Sequence, residues 1–178
     1  QALSMLGQVG LMDRWQRAFG DQPIGQVLLT RRELSEARPM ELLVSSLSAL
    51  WDYGAVPVVN ENDAISNEEF GFSDNDQLAA QLAVRLGAKI LILLTDQDGV
   101  QAEFGAPNQH RVERLRQADA AQYVSKTASL HGRGGIQSKI EAAGIALAAE
   151  VEVFIANAEH RHAIENALNG SGGTIVVR

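Results

Sequence analysis

The chain has 178 residues, enough for one domain that buries about 70% of the surface its unfolded form exposes. A hydrophobic fraction of 46% and a mean hydropathy of −0.07 read as globular, and no apolar run approaches the roughly 18 residues of a membrane span. A net charge of −7 argues against a broad nucleic-acid or anionic-membrane surface, and the lack of cysteine excludes disulfides and thiolate zinc sites, as suits a reducing cytosol.

Helices and strands are expected to alternate. Ala2 to Phe19 carries apolar residues at helical spacing, at Leu3, Leu6, Val9 or Gly10, and Met12 or Trp15. Ile24 to Thr30, IGQVLLT, reads as a strand. Met40 to Tyr53 reads as a second amphipathic helix, stopped by Gly54. Ala55 to Val59 is a short, continuous apolar strand. Asp76 to Leu86 reads as a helix with Gly87 as its stop, and Ala88 to Thr95, AKILILLT, as a strand buried on both faces. The polar, weakly patterned stretch from Gln101 to Leu130 is expected to be an excursion or lid over one edge. A helix over Gln137 to Ala149, a strand over Val151 to Ala156, a helix over His160 to Leu168 and a strand over Thr174 to Val177 complete the chain. Apolar strands alternating with helices imply a three-layer α/β/α sandwich with a mainly parallel central sheet, in a single domain over residues 1–178. Val56–Val59, Ile90–Thr95 and Val151–Ala156 are expected to be interior strands.

In open parallel sheets ligands collect beyond the carboxyl ends of the strands. The strand ending at Val59 runs into Asn60, Glu61, Asn62 and Asp63. This is either a solvated turn or a polar pocket in which amides hold a carboxylate and Asp63 receives an ammonium group. FSDNDQLAAQLA follows at Phe72 to Ala83, where Ser73 or Asp74 serves as a helix N-cap. A cap explains one Asp and tolerates a second, but it does not explain Asn75 between them. The two clusters are expected to fold back on one ligand, bringing Asp63, Asn75 and Asp76 into one small pocket. The next strand ends in Thr95, Asp96, Asp98 and Gly99; a calcium loop fits poorly, since Leu94 and Gly105 would fall at ligand positions. HGRGGIQSKIEAA, His131 to Ala143, is a Gly-rich loop opening a helix, a place where free N–H groups attract phosphate. Its lysine order and glycine spacing differ from a Walker A loop, and a flexible surface turn is the plain alternative. His160 and His162 read as surface residues, and no nucleophile–histidine pair is recognisable.

VPVVNENDAI, SDNDQLAAQLA, GAKILILLTDQDGV and GRGGIQSKIEAA, in this order and spacing, resemble the amino-acid kinase family. They are most similar to its branch that phosphorylates the γ-carboxylate of L-glutamate with Mg-ATP, the first step of proline synthesis. The resemblance extends to MLGQ, GQVLLT and GTIVVR and so covers nearly the whole chain. It implies that Asn60, Asp63, Asn75 and Asp76 bind glutamate and that Asp74 orients phosphate-binding lysines. It places Thr95 and Asp96 at the nucleotide. Arg133, Gly134, Gly135, Ile136, Gln137, Ser138 and Lys139 would line the ATP phosphates, with Lys139 stabilising the transferring phosphoryl group. No protein-held metal is implied beyond the Mg2+ that accompanies ATP. A cytoplasmic homo-oligomer that binds neither nucleic acid nor membrane is the expected setting.

Arg133, Ile136 and Ser138 stand where the family usually has threonine, methionine and threonine. The family's opening strand, with its lysine and glycine–serine loop, has no counterpart, so the chain matches roughly the C-terminal three quarters of such a domain by element count. No counterpart of an appended RNA-binding-like domain follows Arg178. The chain alone is therefore expected to be weakly active or inactive. Two other readings stay open: a non-catalytic amino-acid-binding or regulatory module, and an amino-acid kinase with another acid or phosphate substrate.

Overall fold

The computed structural model describes residues 1–66, 72, 74–103, 105–124 and 135–178. They divide into two units, Gln1–Asn75 and Asp76–Arg178.

The first unit runs α1 (Ala2–Phe19), β1 (Ile24–Leu29), α2 (Arg31–Ser35), α3 (Ala37–Asp52) and β2 (Val56–Glu61). β1 and β2 pair in parallel, in register from Ile24↔Val56 to Leu29↔Glu61. α3 packs on this ribbon through buried Leu43 and Leu47. It begins three residues before the expected Met40, because Pro39 sits in the first helical turn, where its missing N–H is not needed. α1 occupies the expected residues, but none of them is buried. Leu3, Leu6 and Val9 are 84%, 77% and 77% exposed, so the apolar stripe that predicts the helix packs into no core of this unit.

α2 was not expected, although Thr30-Arg31-Arg32-Glu33 carries its signal. The Thr30 hydroxyl accepts from the Arg32 N–H at 3.3 Å, and the Glu33 carboxylate accepts from the Thr30 N–H at 2.6 Å, a reciprocal capping box. Burial alone would push the Glu33 carboxyl up. Hydrogen bonds from the Thr30 hydroxyl and from the Thr30 and Glu33 N–H groups, with the Arg32 charge, outweigh it and hold the carboxyl below its ordinary value. Its contribution to stability is therefore complete above the unfolded carboxylate's pKa and is lost as pH falls through the lower folded value. Urea unfolding should show Glu33→Gln less stable than wild type at neutral pH, with the difference shrinking once the medium is acidic enough to protonate Glu33.

The second unit contains α4 (Asn75–Leu86), apart from its first residue, then β3 (Ile90–Thr95), β4 (Gln101–Ala102), β5 (His110–Arg111) and β6 (Arg114–Arg116). A 3₁₀ turn (Gln117–Asp119), α5 (Ala121–Val124), α6 (Ile136–Ala148), β7 (Glu152–Asn157), α7 (Ala163–Leu168) and β8 (Thr174–Val177) follow. The main sheet has the order β3-β7-β8-β6; β3/β7 and β6/β8 are parallel and β7/β8 antiparallel. Side chains alternate across it. Leu91, Leu93, Val153, Ile155 and Val176 face the core made with α4 and α6, while Phe154 and Ala156 pack with Ala167 of α7 on the other face. Helices thus cover both faces of this sheet, as expected.

All three expected interior strands are strands, but among the described residues only β7 of the three pairs with a strand on each side. β3 ends the order of its sheet and alternates, with Ile90 and Leu94 exposed, so it is not buried on both faces. The supposed excursion after Gln101 supplies β6, whose Leu115 is fully buried. Beside it, Gly173 has φ +77°, and an added Cβ would strike the Ile155 carbonyl oxygen. The Thr174 hydroxyl donates to the Val112 carbonyl at 2.6 Å and accepts from the Val100 N–H at 2.8 Å. Among the described residues no helix is long and apolar enough to cross a membrane.

Candidate functional site

In the first unit, polar side chains gather at the carboxyl end of β2. Ladder pairing continues through Asn60 and Glu61, and the Asn62 N–H still reaches the Leu29 carbonyl at 2.7 Å. The Asn60 side-chain amide donates to Gln8 of α1 at 3.2 Å and accepts from the Asn75 amide at 3.1 Å. The structure therefore brings Asn60 and Asn75 together across 15 positions. The Glu61 carboxylate accepts from the Ser66 hydroxyl and from the Phe72 N–H. Asp63 lies in the turn that follows, half-buried, with no hydrogen bond or ion pair to another described residue. Gln8 and Phe72 join this cluster without having been singled out in the sequence, and Glu61, named there only as part of the polar run after Val59, joins it too. An apolar groove of about 760 Å³ between β1 and α3, lined by residues such as Leu43 and Leu47, includes none of these cluster residues.

In the second unit, Asp76 in the first turn of α4 meets the start of α6. Its carboxylate accepts from the Ser138 hydroxyl at 2.7 Å and from the Lys139 ammonium at 2.9 and 3.2 Å. The Lys139 and Asp76 side chains are only 9% and 16% exposed, so the pairing offsets a large cost of desolvation. The carboxylate that meets Lys139 is thus Asp76, two positions beyond Asp74, to which the family resemblance gives the orienting of phosphate-binding lysines. α6 opens at Gly135, which offers no side chain to cap Ile136, Gln137 and Ser138. Their N–H groups and the positive end of the helix favour an anion there. Arg133 and Gly134 lie outside the described residues.

Thr95 and Asp96 end β3, with the Thr95 hydroxyl 3.2 Å from the Asp96 carboxylate. Thr95 is in register with Asn157 of β7. The Asn157 amide donates to Asp98 at 2.8 Å, and His160 lies 3.2 Å from the same oxygen. His160, expected as a surface residue, is exposed and lies against Asp98. Among the described residues no group of three or more His, Cys, Asp or Glu side chains has the arrangement of a metal site.

A model of the amino acid kinase family matches residues 1–157. The chain belongs to the amino acid kinase family. Within that family it is 39% identical over 175 residues to a glutamate 5-kinase of Clostridium acetobutylicum, covering 95% of this chain and 66% of the relative. A glutamate 5-kinase of Nitrobacter hamburgensis is 37% identical over 180 residues, covering 96% of this chain and 46% of the relative. The chain thus spans about half to two thirds of the length of these amino acid kinases. Among solved structures, an N-acetylglutamate synthase from Neisseria gonorrhoeae superposes with a TM-score of 0.63 at 20% identity, covering 98% of this chain and 44% of the other. At that identity the likeness concerns the amino acid kinase fold alone.

Proposed function

We propose that the chain is the glutamate-binding and phosphate-gripping part of an ATP-dependent glutamate kinase. The observation that carries this reading is the buried Asp76–Ser138–Lys139 cluster at the open N-terminus of α6. It fits an anion of high charge: a lysine held at one end of its reach, beside N–H groups with no side-chain cap. The relatives named glutamate 5-kinase supply the substrate. Asn60, Asp63 and Asn75 are assigned to L-glutamate, amides to its carboxylate and Asp63 to its ammonium. Thr95 and Asp96 are assigned to the nucleotide.

Mg-ATP would supply the transferable phosphoryl group, its Mg2+ held by phosphate oxygens. A γ-carboxylate oxygen of glutamate forms a bond to the γ-phosphorus, the bond from that phosphorus to the β,γ-bridging oxygen breaks, and ADP leaves with the electron pair. A carboxylate is already ionised at neutral pH, so no base is needed; positioning and charge do the catalysis. Lys139 neutralises charge on the phosphoryl oxygens, and Asp76 keeps its ammonium in place, while Asp74 is assigned to orienting phosphate-binding lysines. The product, γ-glutamyl phosphate, would open proline synthesis in the cytoplasm.

Titration calorimetry with L-glutamate and with Mg-ATP is the first test, and saturable binding of both is expected. Trapping of γ-glutamyl phosphate with hydroxylamine then measures turnover, in the chain and in the longest naturally encoded form of the protein. Glutamate binding with no nucleotide binding would instead show an amino-acid-binding module, and binding of neither would overturn the proposal.

A further inference from the structure

We propose that Glu61 is a positioning residue of the amino-acid pocket, pinning both ends of the connection between β2 and α4 and so fixing where Asp63 and Asn75 sit. This rests on reading the first unit as a glutamate pocket. One oxygen of the Glu61 carboxylate receives the Ser66 hydroxyl, just after the turn that bears Asp63. The same oxygen receives the Phe72 N–H at 2.9 Å, three residues before Asn75. Phe72 is held a second way: the residue is 8% exposed, and its ring centroid lies 5.7 Å from the Arg31 guanidinium at the start of α2. Next to Glu61, Asn60 holds Asn75 itself at 3.1 Å.

Successive strand residues project to opposite faces. Asn60 and Glu61 therefore engage the returning chain from two sides of one strand end. That end is itself fixed, because Leu29↔Glu61 is the last pair of the β1–β2 ladder. Its hydrogen bonds go to Ser66 and Phe72, so these two anchor points are set before glutamate arrives and binding does not have to set them.

The test is calorimetric titration of L-glutamate into wild type, Glu61→Ala, Glu61→Gln and Ser66→Ala. Hydrogen bonds to a charged acceptor set the scale, about 10–100-fold weaker glutamate binding for Glu61→Ala. Glu61→Gln keeps an acceptor oxygen on the same stem and should recover most of that loss. Ser66→Ala removes one of the two bonds and should weaken binding by about 3–10-fold. Where turnover is measured, KM for glutamate should rise while kcat holds, with a thermal unfolding midpoint close to wild type. If Glu61→Ala fails to fold by circular dichroism, Ser66→Ala decides. Unchanged affinity in Glu61→Ala or Ser66→Ala, beside a wild type that binds glutamate, overturns this inference and leaves the kinase reading standing. Equal losses in Glu61→Ala and Glu61→Gln with a lowered midpoint show loss of fold and also overturn it. A wild type that binds no glutamate overturns both.

Discussion

Asp76→Ala is expected to destabilise the second unit by about 3–5 kcal/mol, the scale for stripping the partner from a buried ion pair. The Lys139 side chain is 9% exposed, and removing Asp76 takes away the acceptor of both its hydrogen bonds. Lys139→Met should cost less, because the remaining carboxylate keeps the Ser138 hydroxyl at 2.7 Å and a somewhat more open position. Asp76→Ala combined with Lys139→Met should cost less than the two single losses added together, since neither charge is then left buried without its partner. Urea unfolding of the four proteins gives the coupling energy as a double-mutant cycle. A coupling below about 1 kcal/mol, the range of exposed pairs, would show that water screens this one.

Lys139→Met is expected to lower the rate of γ-glutamyl phosphate formation by about 10²–10³-fold, by analogy with removal of one preorganised donor from an oxyanion site. The loss should fall mainly on kcat, because charge on the phosphoryl oxygens is redistributed as the bond to ADP breaks. Glutamate binding, assigned to residues of the other unit, should change little. Hydroxylamine trapping reads the rate and calorimetry the affinity. Wild-type turnover in Lys139→Met would remove Lys139 from the reaction. A variant that instead lost glutamate affinity would move Lys139 to the amino acid.

Elements with a strong local period could be read from the sequence. α1 matches its expected bounds, and α3, α4 and α6 fall within a few residues of theirs, because apolar side chains recur at helical spacing. β3 and β7 showed as apolar runs, but an apolar run does not reveal how many neighbours a strand has, and β3 ends its sheet. β6 had no visible signal: its three residues include one apolar side chain, Leu115, and its partner β8 lies some sixty positions later. α2 could have been found, since Thr30 and Glu33 spell a capping box.

The site divides in the same way. Asn60 and Asn75 stood out because two Asn/Asp clusters lie close in sequence. The contact between Asp76 and Lys139 spans 63 positions and had no local signature. Asp76 lies in the first turn of α4 while Asp74 precedes the helix, a difference that two aspartates so close in sequence do not show on paper. Gln8 reaches Asn60 from another element, 52 positions away, beyond any pattern that spacing can show.

The position of β8 bears on the order in which the protein is made. This strand occupies an inner place between β7 and β6, yet it comes later in the chain than every other strand of that sheet. Until the ribosome has released residue 177, β6 has no strand to join and β7 presents a bare edge. The first unit, whose ladder joins residues 24–29 to 56–61, can close much earlier. Synthesis at about 5–20 residues per second leaves the half-built sheet waiting for several seconds. During that interval its open strand edge is exposed to wrong partners.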